Sequence, residues 1–340
     1  MNMNMNVHCL GRILIVISIM VLNTVQVQAA DLILRVASEE PFKTPPGIAA
    51  QYGLEFLAQE LPKRTGGKVE AKLFPGAVLG NERALMKALT VGGIDATVVS
   101  ISNAAPLVKE VGFLAAAYLF ESYAHAERVI LSEPRFFQRY QQLVKEKKQG
   151  FQLVGLGLTG TRNLYNRVKP VKGPDDIKGM KMRVMANPTE FKVWSALGTL
   201  PANIPAPEIY TSLQTGVVDA AESSLPAIVT GKYYEVGPHI VLTHHQYNIH
   251  MYFLRDSVLD KLPPDVQKKV LDTFREAGAV QFKAAVRMAD EKLAELKNKP
   301  GVTVSEVDTR LFAAKVQDIQ DEEAKSLEVT DVLKLIRELR

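Results

Sequence analysis

The chain has 340 residues, of which 47% are hydrophobic and 23% charged, and its formal net charge at pH 7 is +4. This composition is typical of an ordinary globular protein, and it excludes an intrinsically disordered chain and a bundle of membrane helices. Basic and acidic residues are interspersed along the sequence. The chain therefore lacks the basic runs that are typical of nucleic-acid-binding proteins.

Residues 1–29 have the pattern of a secretory signal peptide. A basic residue precedes an apolar stretch at 13–25, and the sequence VQA that ends at Ala29 fits the small-x-small pattern found before cleavage sites. The apolar stretch is too short to serve as a stable membrane anchor. We therefore expect cleavage after Ala29 and export to the periplasm.

The single cysteine, Cys9, lies within this signal segment. The mature chain then has no thiol, which excludes disulfides, thiolate metal sites and a cysteine nucleophile. We expect neither a cofactor nor a metal. The mature chain is long enough to form two domains, each with its own hydrophobic core.

The mature sequence alternates between strand-like and helix-like patterns, which predicts an α/β architecture. The glycine-rich segment 155–160 separates a first set of these elements from a second. We expect the chain to cross between two lobes there. In the first set, the predicted strands are 32–37, 68–74 and 94–99, and the predicted helices are 48–61 and 81–90.

A much longer helix is predicted at 264–298. The segment begins with Pro264 and Asp265, has no internal proline, and ends before Pro300-Gly301. Its apolar residues keep an approximately helical period. A helix of this length would span roughly 50 Å, which is longer than one small lobe, so we expect it to brace both lobes.

Arg183 lies in a short apolar strand. Met182 and Val184 alternate with Lys181 and Arg183, so a strand would place the two cations on the face opposite the apolar side chains. A guanidinium keeps its charge in a protein, so a buried arginine needs an anionic partner.

A predicted helix start follows Arg183, with Asn187 as the cap and Glu190 in the first turn. The helix N-terminus adds a partial positive charge, which favours the binding of a carboxylate in this region. From these residues alone, Arg183 could also pair with Glu222 or Asp219 of the chain, or point into solvent.

A resemblance to a known family extends over nearly the whole mature chain. The solute-binding proteins of TRAP transporters, of the DctP type, have similar segments in the same order and with similar spacing. The segments that carry the resemblance are TGGKVEAKLFPGAVLGNERALMKALTVGGIDATVVS, GTRNLYNRVKPVKGPDDIKGMK, GMKMRV, VWSALGTLPANIPAPEIYTSLQTGVVDAAES and KYYEVGPHIVLTHHQY.

The resemblance implies a two-lobed α/β periplasmic binding protein fold, type II-like, which closes over its ligand about a hinge, with a long helix behind both lobes. It implies a monomeric receptor that binds a small organic acid and delivers it to the small and large membrane permease subunits. The predicted lobes are 30–158 with 249–285 for lobe I, and 159–248 with 286–340 for lobe II.

The resemblance also implies binding residues. An arginine at the position of Arg183 forms a bidentate salt bridge with the ligand carboxylate, and Arg162 matches a second arginine that supports the ligand. Ser100 and Glu39 follow predicted strands at positions where family members face the ligand, although Ser100 could equally be a packing residue and Glu39 an exposed loop acid. Tyr210 is a further candidate, with core packing as the alternative.

Two departures from the family pattern bear on the ligand. Many members have an asparagine after the glutamate that corresponds to Glu222, where this chain has Ser223. Tyr118 lies in a segment that usually reads Pro-Phe-Leu-Phe. We predict that Ser223 and Tyr118 contact the ligand and that Glu222 supports the site from behind, while dicarboxylates, sugar acids, hydroxy acids and oxo acids all stay open as ligands.

Two other functions are compatible with parts of the sequence. A secreted metal-dependent hydrolase could use His244, His245 and His250 as zinc ligands. However, neighbouring residues of a strand point to opposite faces, and the HExxH and GxSxG motifs are absent from the sequence. A ligand-sensing subunit for a membrane receptor would have the same pocket as a transport receptor, and the residues do not separate these two.

Overall fold

The computed structural model describes residues 30–340, so the predicted signal peptide lies outside the described residues. Within the described range, no helix has both the length and the apolar character needed to cross a membrane. The strands are β1 Leu32–Ala37, β2 Val69–Phe74, β3 Ala96–Ser100, β4 Phe151–Asn166, β5 Lys181–Val184, β6 Leu200–Asn203, β7 Ala220–Ser224, β8 His239–Arg255 and β9 Thr303–Glu306. The α-helices are α1 Ala49–Thr65, α2 Glu82–Val91, α3 Ile101–Ala104, α4 Tyr123–Glu127, α5 Pro134–Glu146, α6 Pro188–Ala196, α7 Ile209–Thr215, α8 Leu225–Thr230, α9 Asp256–Leu259, α10 Pro264–Lys297, α11 Thr309–Ser326 and α12 Thr330–Glu338.

The described strands form one sheet in the order β2-β1-β3-β8-β4-β7-β5-β6, with β9 beside β8. β1 pairs in parallel with β2 and β3, and β5 pairs in parallel with β6 and β7. The strands β4 and β8 join these two parallel units through antiparallel pairs. We call β1–β3 with their helices the first unit, and β5–β7 with theirs the second unit.

The strands β4 and β8 are the long connections between the units. β3 pairs with the end of β8 from His250 onward, whereas β7 pairs with the end of β4 from Arg162 onward. Between these ends, the pairing of β4 with β8 changes register at Leu158/Thr161. Irregular pairing weakens the ladder locally, so this segment is a natural place for bending. The predicted lobe boundaries, 158/159 and 248/249, fall here and stay a prediction.

Helices cover both faces of the sheet, as the alternating pattern predicts. In the first unit, Leu34 of β1 packs with Leu57 of α1 and Val270 of α10 in one buried cluster. In the second unit, Met182 of β5 packs with Trp194 of α6 in another. Each unit therefore has a hydrophobic core of its own.

Helix α10 agrees with the predicted helix to within one residue at its C-terminal end. Its buried residues belong to three separate clusters: Phe274 packs with the first unit, Phe282 and Met288 with the cluster around α5, and Leu296 with the second unit. One helix thus backs both units. Gly278 allows its close approach to β4, since a Cβ there would lie 2.2 Å from the carbonyl oxygen of Leu156.

The C-terminal helix α12 differs from the predicted lobe assignment. Val332 and Ile336 lie in the same cluster as Phe136 and Tyr140 of α5, on the first-unit side. The prediction placed the whole segment 286–340 in lobe II. The apolar face of α12 finds its buried partners on the first unit, so the chain crosses back after α11.

Candidate functional site

A cavity of about 290 Å³ lies where the two units face each other. Both parallel units point the carboxyl ends of their strands at this cavity, which is the usual position of ligand sites in open α/β sheets. The lining residues are Glu39, Glu40, Pro41, Gly76, Ala77, Glu82, Ser100 and Asn103 from the first unit, Asn248 and His250 from β8, and Arg162, Arg183, Met185, Ala206, Pro207, Ile209, Ser223, Ala227 and Tyr233 from the second-unit side.

Arg183 of β5 is the cation with the fewest partners in this cavity. Its side chain is buried, with 2% of the residue exposed. Its Nε donates a hydrogen bond to the carbonyl oxygen of Ile204 at 2.8 Å. Among the described residues, neither Nη atom has a hydrogen-bond acceptor, and Nη1 lies 3.7 Å from Oε1 of Glu222. The two Nη groups are therefore available to a ligand.

Arg162 of β4 is instead paired within the protein. Its Nε and Nη2 donate to the two carboxylate oxygens of Glu222, and Nη2 also donates to the carbonyl oxygen of Glu222 at 2.7 Å. Residues 162–166 of β4 pair with β7, which sets the two side chains together. Glu222 therefore accepts most of the hydrogen bonds that the guanidinium of Arg162 can donate, although this arginine was predicted to support a ligand. Only Nη1 of Arg162 has no acceptor in the described chain.

Glu222 is fully buried behind the two arginines. Burial alone would raise the pKa of this carboxyl group, but the attraction of Arg162, the nearby His245 at 3.5 Å and the hydrogen bonds from Arg162 outweigh it and lower the pKa to about 2. Glu222 therefore stays ionised over the ordinary pH range. Glu222 does not line the cavity, and its role in supporting the site stays a prediction.

Ser100 and Glu39 line the cavity, as the resemblance implied, but each also has a partner in the protein. Glu82 accepts hydrogen bonds from the backbone N–H of Ser100 at 2.9 Å, from its hydroxyl at 2.6 Å and from Asn103 Nδ2 at 2.7 Å. Oε2 of Glu39 accepts a hydrogen bond from the backbone N–H of Glu82 at 2.6 Å. These contacts fix the first-unit wall of the cavity.

Two carboxyl groups on this wall have raised pKa values. Burial, reinforced by the charge of Glu82, raises the pKa of Glu39 to about 7. Burial, together with the charges of Glu82 and Glu39, raises the pKa of Glu40 to about 8. With pKa values near neutrality, these two carboxyl groups are substantially protonated at neutral pH, so this wall disfavours negative charge.

Ser223 lines the cavity, whereas the two predicted tyrosines do not. Tyr210 donates its hydroxyl hydrogen to Oε2 of Glu235 at 2.9 Å, outside the cavity. Its neighbour Ile209 lines the cavity instead, because adjacent positions of a helix point about 100° apart. Tyr118 donates its hydroxyl hydrogen to the carbonyl oxygen of Thr243 at 3.2 Å and is likewise absent from the lining.

The three histidines of the hydrolase alternative do not converge. Nε2 of His245 lies 3.5 Å from Glu222, Nε2 of His250 lies 3.9 Å from Glu82, and Nδ1 of His244 faces a threonine hydroxyl. In the part of the chain that the structure describes, no group of three or more His, Cys, Asp or Glu residues is placed to hold a metal ion.

The sequence did not predict most of the cavity wall, and the polar residues missed there are Glu40, Glu82, Asn103, Tyr233, Asn248 and His250. Glu40 could have been found, since it follows Glu39 directly after the first predicted strand. Asn248 and His250 lie in the middle of the long strand β8, where nothing in the local pattern distinguishes a cavity residue from a core residue. Their role depends on how the two units meet.

Comparisons with known proteins agree with this architecture. The family model described as bacterial extracellular solute-binding protein, family 7 (DctP) matches residues 43–326. A solute-binding protein of Verminephrobacter eiseniae is 31% identical over 287 residues, which cover 84% of this chain and 83% of that protein.

Solved structures of solute-binding proteins also resemble this chain. A TRAP periplasmic solute-binding protein from a Sulfitobacter species, with bound α-D-taluronate, is 30% identical with a TM-score of 0.83, and the match covers 90% of this chain and 97% of that one. One from Sulfurospirillum deleyianum, with bound succinate, is 26% identical with a TM-score of 0.82 and covers 92% and 100%. The predicted family and the predicted fold class are confirmed. The chain belongs to the DctP family of bacterial extracellular solute-binding proteins, family 7.

Proposed function

We propose that this protein is the extracytoplasmic receptor of a TRAP transporter, and that it binds a small organic acid by its carboxylate and delivers it to the small and large membrane permease subunits. The observation that carries the proposal is the buried guanidinium of Arg183, whose two Nη groups have no acceptor among the described residues. Two parallel N–H donors match the two oxygens of a carboxylate.

The incomplete compensation of the Arg183 charge supports a binding site for an anion at this residue. Glu222 already has Arg162 as its close partner, so it compensates Arg183 only from 3.7 Å. A ligand carboxylate would complete the pairing. The side chain of Arg183 is itself buried, and burial strengthens an ion pair.

Direct contacts between the units support closure around the ligand. Lys43 Nζ donates to the carbonyl oxygen of Thr230 at 2.9 Å, and the hydroxyl of Thr230 donates to the carbonyl oxygen of Gly47 at 2.9 Å. Ser102 donates to Glu190 at 2.5 Å. These bonds join the first unit to the second, so they would break on opening, and a ligand held by both walls would favour the closed state.

Isothermal titration calorimetry with matched ligand pairs tests the proposal. Each pair is an organic acid and its primary amide, which differ in the charged group alone. We expect the acids to bind and the amides to bind far more weakly, because an amide cannot form the charged bidentate pair with Arg183. Equal affinity for both members of every pair would overturn the carboxylate site.

A further inference from the structure

The cavity is electrically asymmetric. Arg183 and Arg162 lie on the second-unit side, whereas Glu39, Glu40 and Glu82 place three carboxyl groups on the opposite wall. We call these three residues the acidic end of the cavity. The carboxyl of Glu40 accepts no hydrogen bond from any described residue, so no protein donor offsets it. Burial and the charges of Glu82 and Glu39 raise the pKa of Glu40, and they outweigh the charge of Arg162, which lowers it. Arg162 donates its hydrogen bonds to Glu222.

Two neighbours of the acidic end carry buried polar atoms without partners in the described chain. His250 is 1% exposed, and its Nδ1 has no hydrogen-bond partner. Asn248 is 4% exposed, and its Oδ1 has none. Both residues line the cavity. Buried polar atoms are usually paired in folded proteins, and the described chain leaves these two atoms, on residues of the cavity wall, unpaired.

Most of these groups accept hydrogen bonds. An ionised carboxylate and an amide oxygen only accept, whereas the protonated form that the raised pKa of Glu40 favours at pH 7 keeps acceptor capacity beside one O–H donor. Burial lowers the pKa of His250 to about 4, so its ring is neutral at pH 7. Its Nε2 faces Glu82 at 3.9 Å, which favours a proton on Nε2 and leaves Nδ1 as an acceptor. The wall opposite Arg183 is therefore rich in acceptors, and the raised pKa values of Glu39 and Glu40 indicate that it disfavours further negative charge.

A second carboxylate of a ligand would be unfavourable at this wall. It would bring more acceptors to a wall of acceptors, and it would meet the same burial and the same neighbouring carboxyl groups that keep Glu40 from ionising near neutral pH. The raised pKa of Glu40, which follows from burial and then from repulsion by Glu82 and Glu39, indicates that these groups already disfavour one another's charge. Hydroxyl or ammonium groups would instead donate to these acceptors.

We propose that the acidic end selects ligands that carry hydrogen-bond donors, hydroxyl or ammonium, opposite their carboxylate, and that it rejects a second carboxylate. The ligand is then a monocarboxylate with a donor-rich far end. This inference rests on the proposed function, since it requires one carboxylate at Arg183. Family membership leaves the choice open, because solved relatives have bound taluronate in one case and succinate in another.

Matched sugar acids test the proposal by calorimetry. Gluconate and glucarate differ only at the far end, where a hydroxymethyl group replaces a carboxylate, and equivalent pairs exist with four and five carbons. We expect the monocarboxylate of the best-fitting length to bind about tenfold or more tightly than its dicarboxylate partner. An unsubstituted fatty acid of the same length should bind at least as poorly as the dicarboxylate.

An aminated acid separates the two kinds of donor. If 6-amino-6-deoxygluconate binds more tightly than gluconate, the acidic end prefers an ammonium group. If it binds less tightly, the acidic end prefers a hydroxyl group. Both results support a donor-rich end. Tighter binding of the dicarboxylate, or of the unsubstituted fatty acid, would overturn the proposal while leaving the carboxylate site at Arg183 intact. If no carboxylate of any kind binds, the proposed function itself fails.

The variant Glu40→Gln assigns the effect to the acidic end. Measured at pH 9, above the pKa of about 8 of the native side chain, it removes one charge and keeps the shape, and the native side chain accepts no hydrogen bond within the described chain that folding would lose. We expect the ratio of monocarboxylate to dicarboxylate affinity to fall at least about threefold. The control Glu70→Gln changes an exposed carboxylate on β2, and it should leave the ratio unchanged. Glu39→Gln provides a second variant, and an unchanged ratio in both would contradict the proposal.

Discussion

Nη1 of Arg183 and Oε1 of Glu222 lie 3.7 Å apart, too far for a normal hydrogen bond. The reason is that Glu222 directs its carboxylate at Arg162. Glu222 thus holds one arginine tightly and leaves the other partly compensated. A buried cation in that position provides charge for an incoming anion without leaving an uncompensated charge in the empty protein.

Replacement of Arg183 tests the anion site. The variant Arg183→Ala removes one partner of a shielded ion pair, so we expect it to weaken carboxylate binding by about 2–5 kcal/mol. Arg183→Lys should also bind poorly, because an ammonium group cannot form the bidentate pair. Titration calorimetry measures both effects. The matched control is Arg310→Lys, whose native side chain is 88% exposed on α11; near-normal binding by Arg183→Ala would contradict the role of Arg183.

Replacement of Glu222 is expected to lower the free energy of unfolding of the protein. The variant Glu222→Gln leaves the buried guanidinium of Arg162 without its counterion, and removal of one partner of a buried pair typically costs about 3–5 kcal/mol. Urea denaturation measures the loss as a lower midpoint. An unfolding free energy equal to that of the wild type would mean that the Arg162–Glu222 pair contributes little.

The pH dependence of stability should reveal Glu40. Its pKa is raised from 4.5 to about 8 by burial and then by the charges of Glu82 and Glu39. The folded state then holds a proton more tightly than the unfolded state, so this contribution to stability is complete below pH 4.5 and is lost as the pH rises through about 8.

The variant Glu40→Gln isolates this contribution. Its unfolding free energy, relative to that of the wild type, should increase as the pH rises from 5 to 9, because the wild type alone must ionise a buried carboxyl group. Denaturation at both pH values, without ligand, measures the change. A difference that does not vary with pH would show that Glu40 titrates normally.

The close contact between α10 and β4 predicts that a methyl group added at Gly278 lowers the stability of the protein. In an exposed helix, Gly→Ala would be stabilising by about 1 kcal/mol. At Gly278 the new Cβ would lie 2.2 Å from the carbonyl oxygen of Leu156, so we expect Gly278→Ala to destabilise the protein by about 1–3 kcal/mol. The control is Gly173→Ala, where nothing lies within 4 Å of the new Cβ. Thermal unfolding of both variants would be compared, and equal stability would argue that α10 can move away from β4.

Features set by local pattern were predictable. The limits of α10 follow from its flanking prolines and from a helical period over 34 residues. The position of Arg183 before a capped helix follows in the same way, since Asn187 does accept a hydrogen bond from the backbone N–H of Thr189. Such elements depend on residues that are close in the chain, so the sequence records them directly.

By itself, the sequence determined an α/β chain with a long bracing helix, a family resemblance and an arginine suited to a carboxylate. The tertiary structure alone decided which arginine has free donors, because Glu222 reaches Arg162 across two strands that are 60 residues apart in the chain. It also brought Glu40 and His250 to the wall facing Arg183, and it turned Tyr210 away. Pairing and burial between distant segments depend on how the two units meet, and no local pattern encodes that geometry.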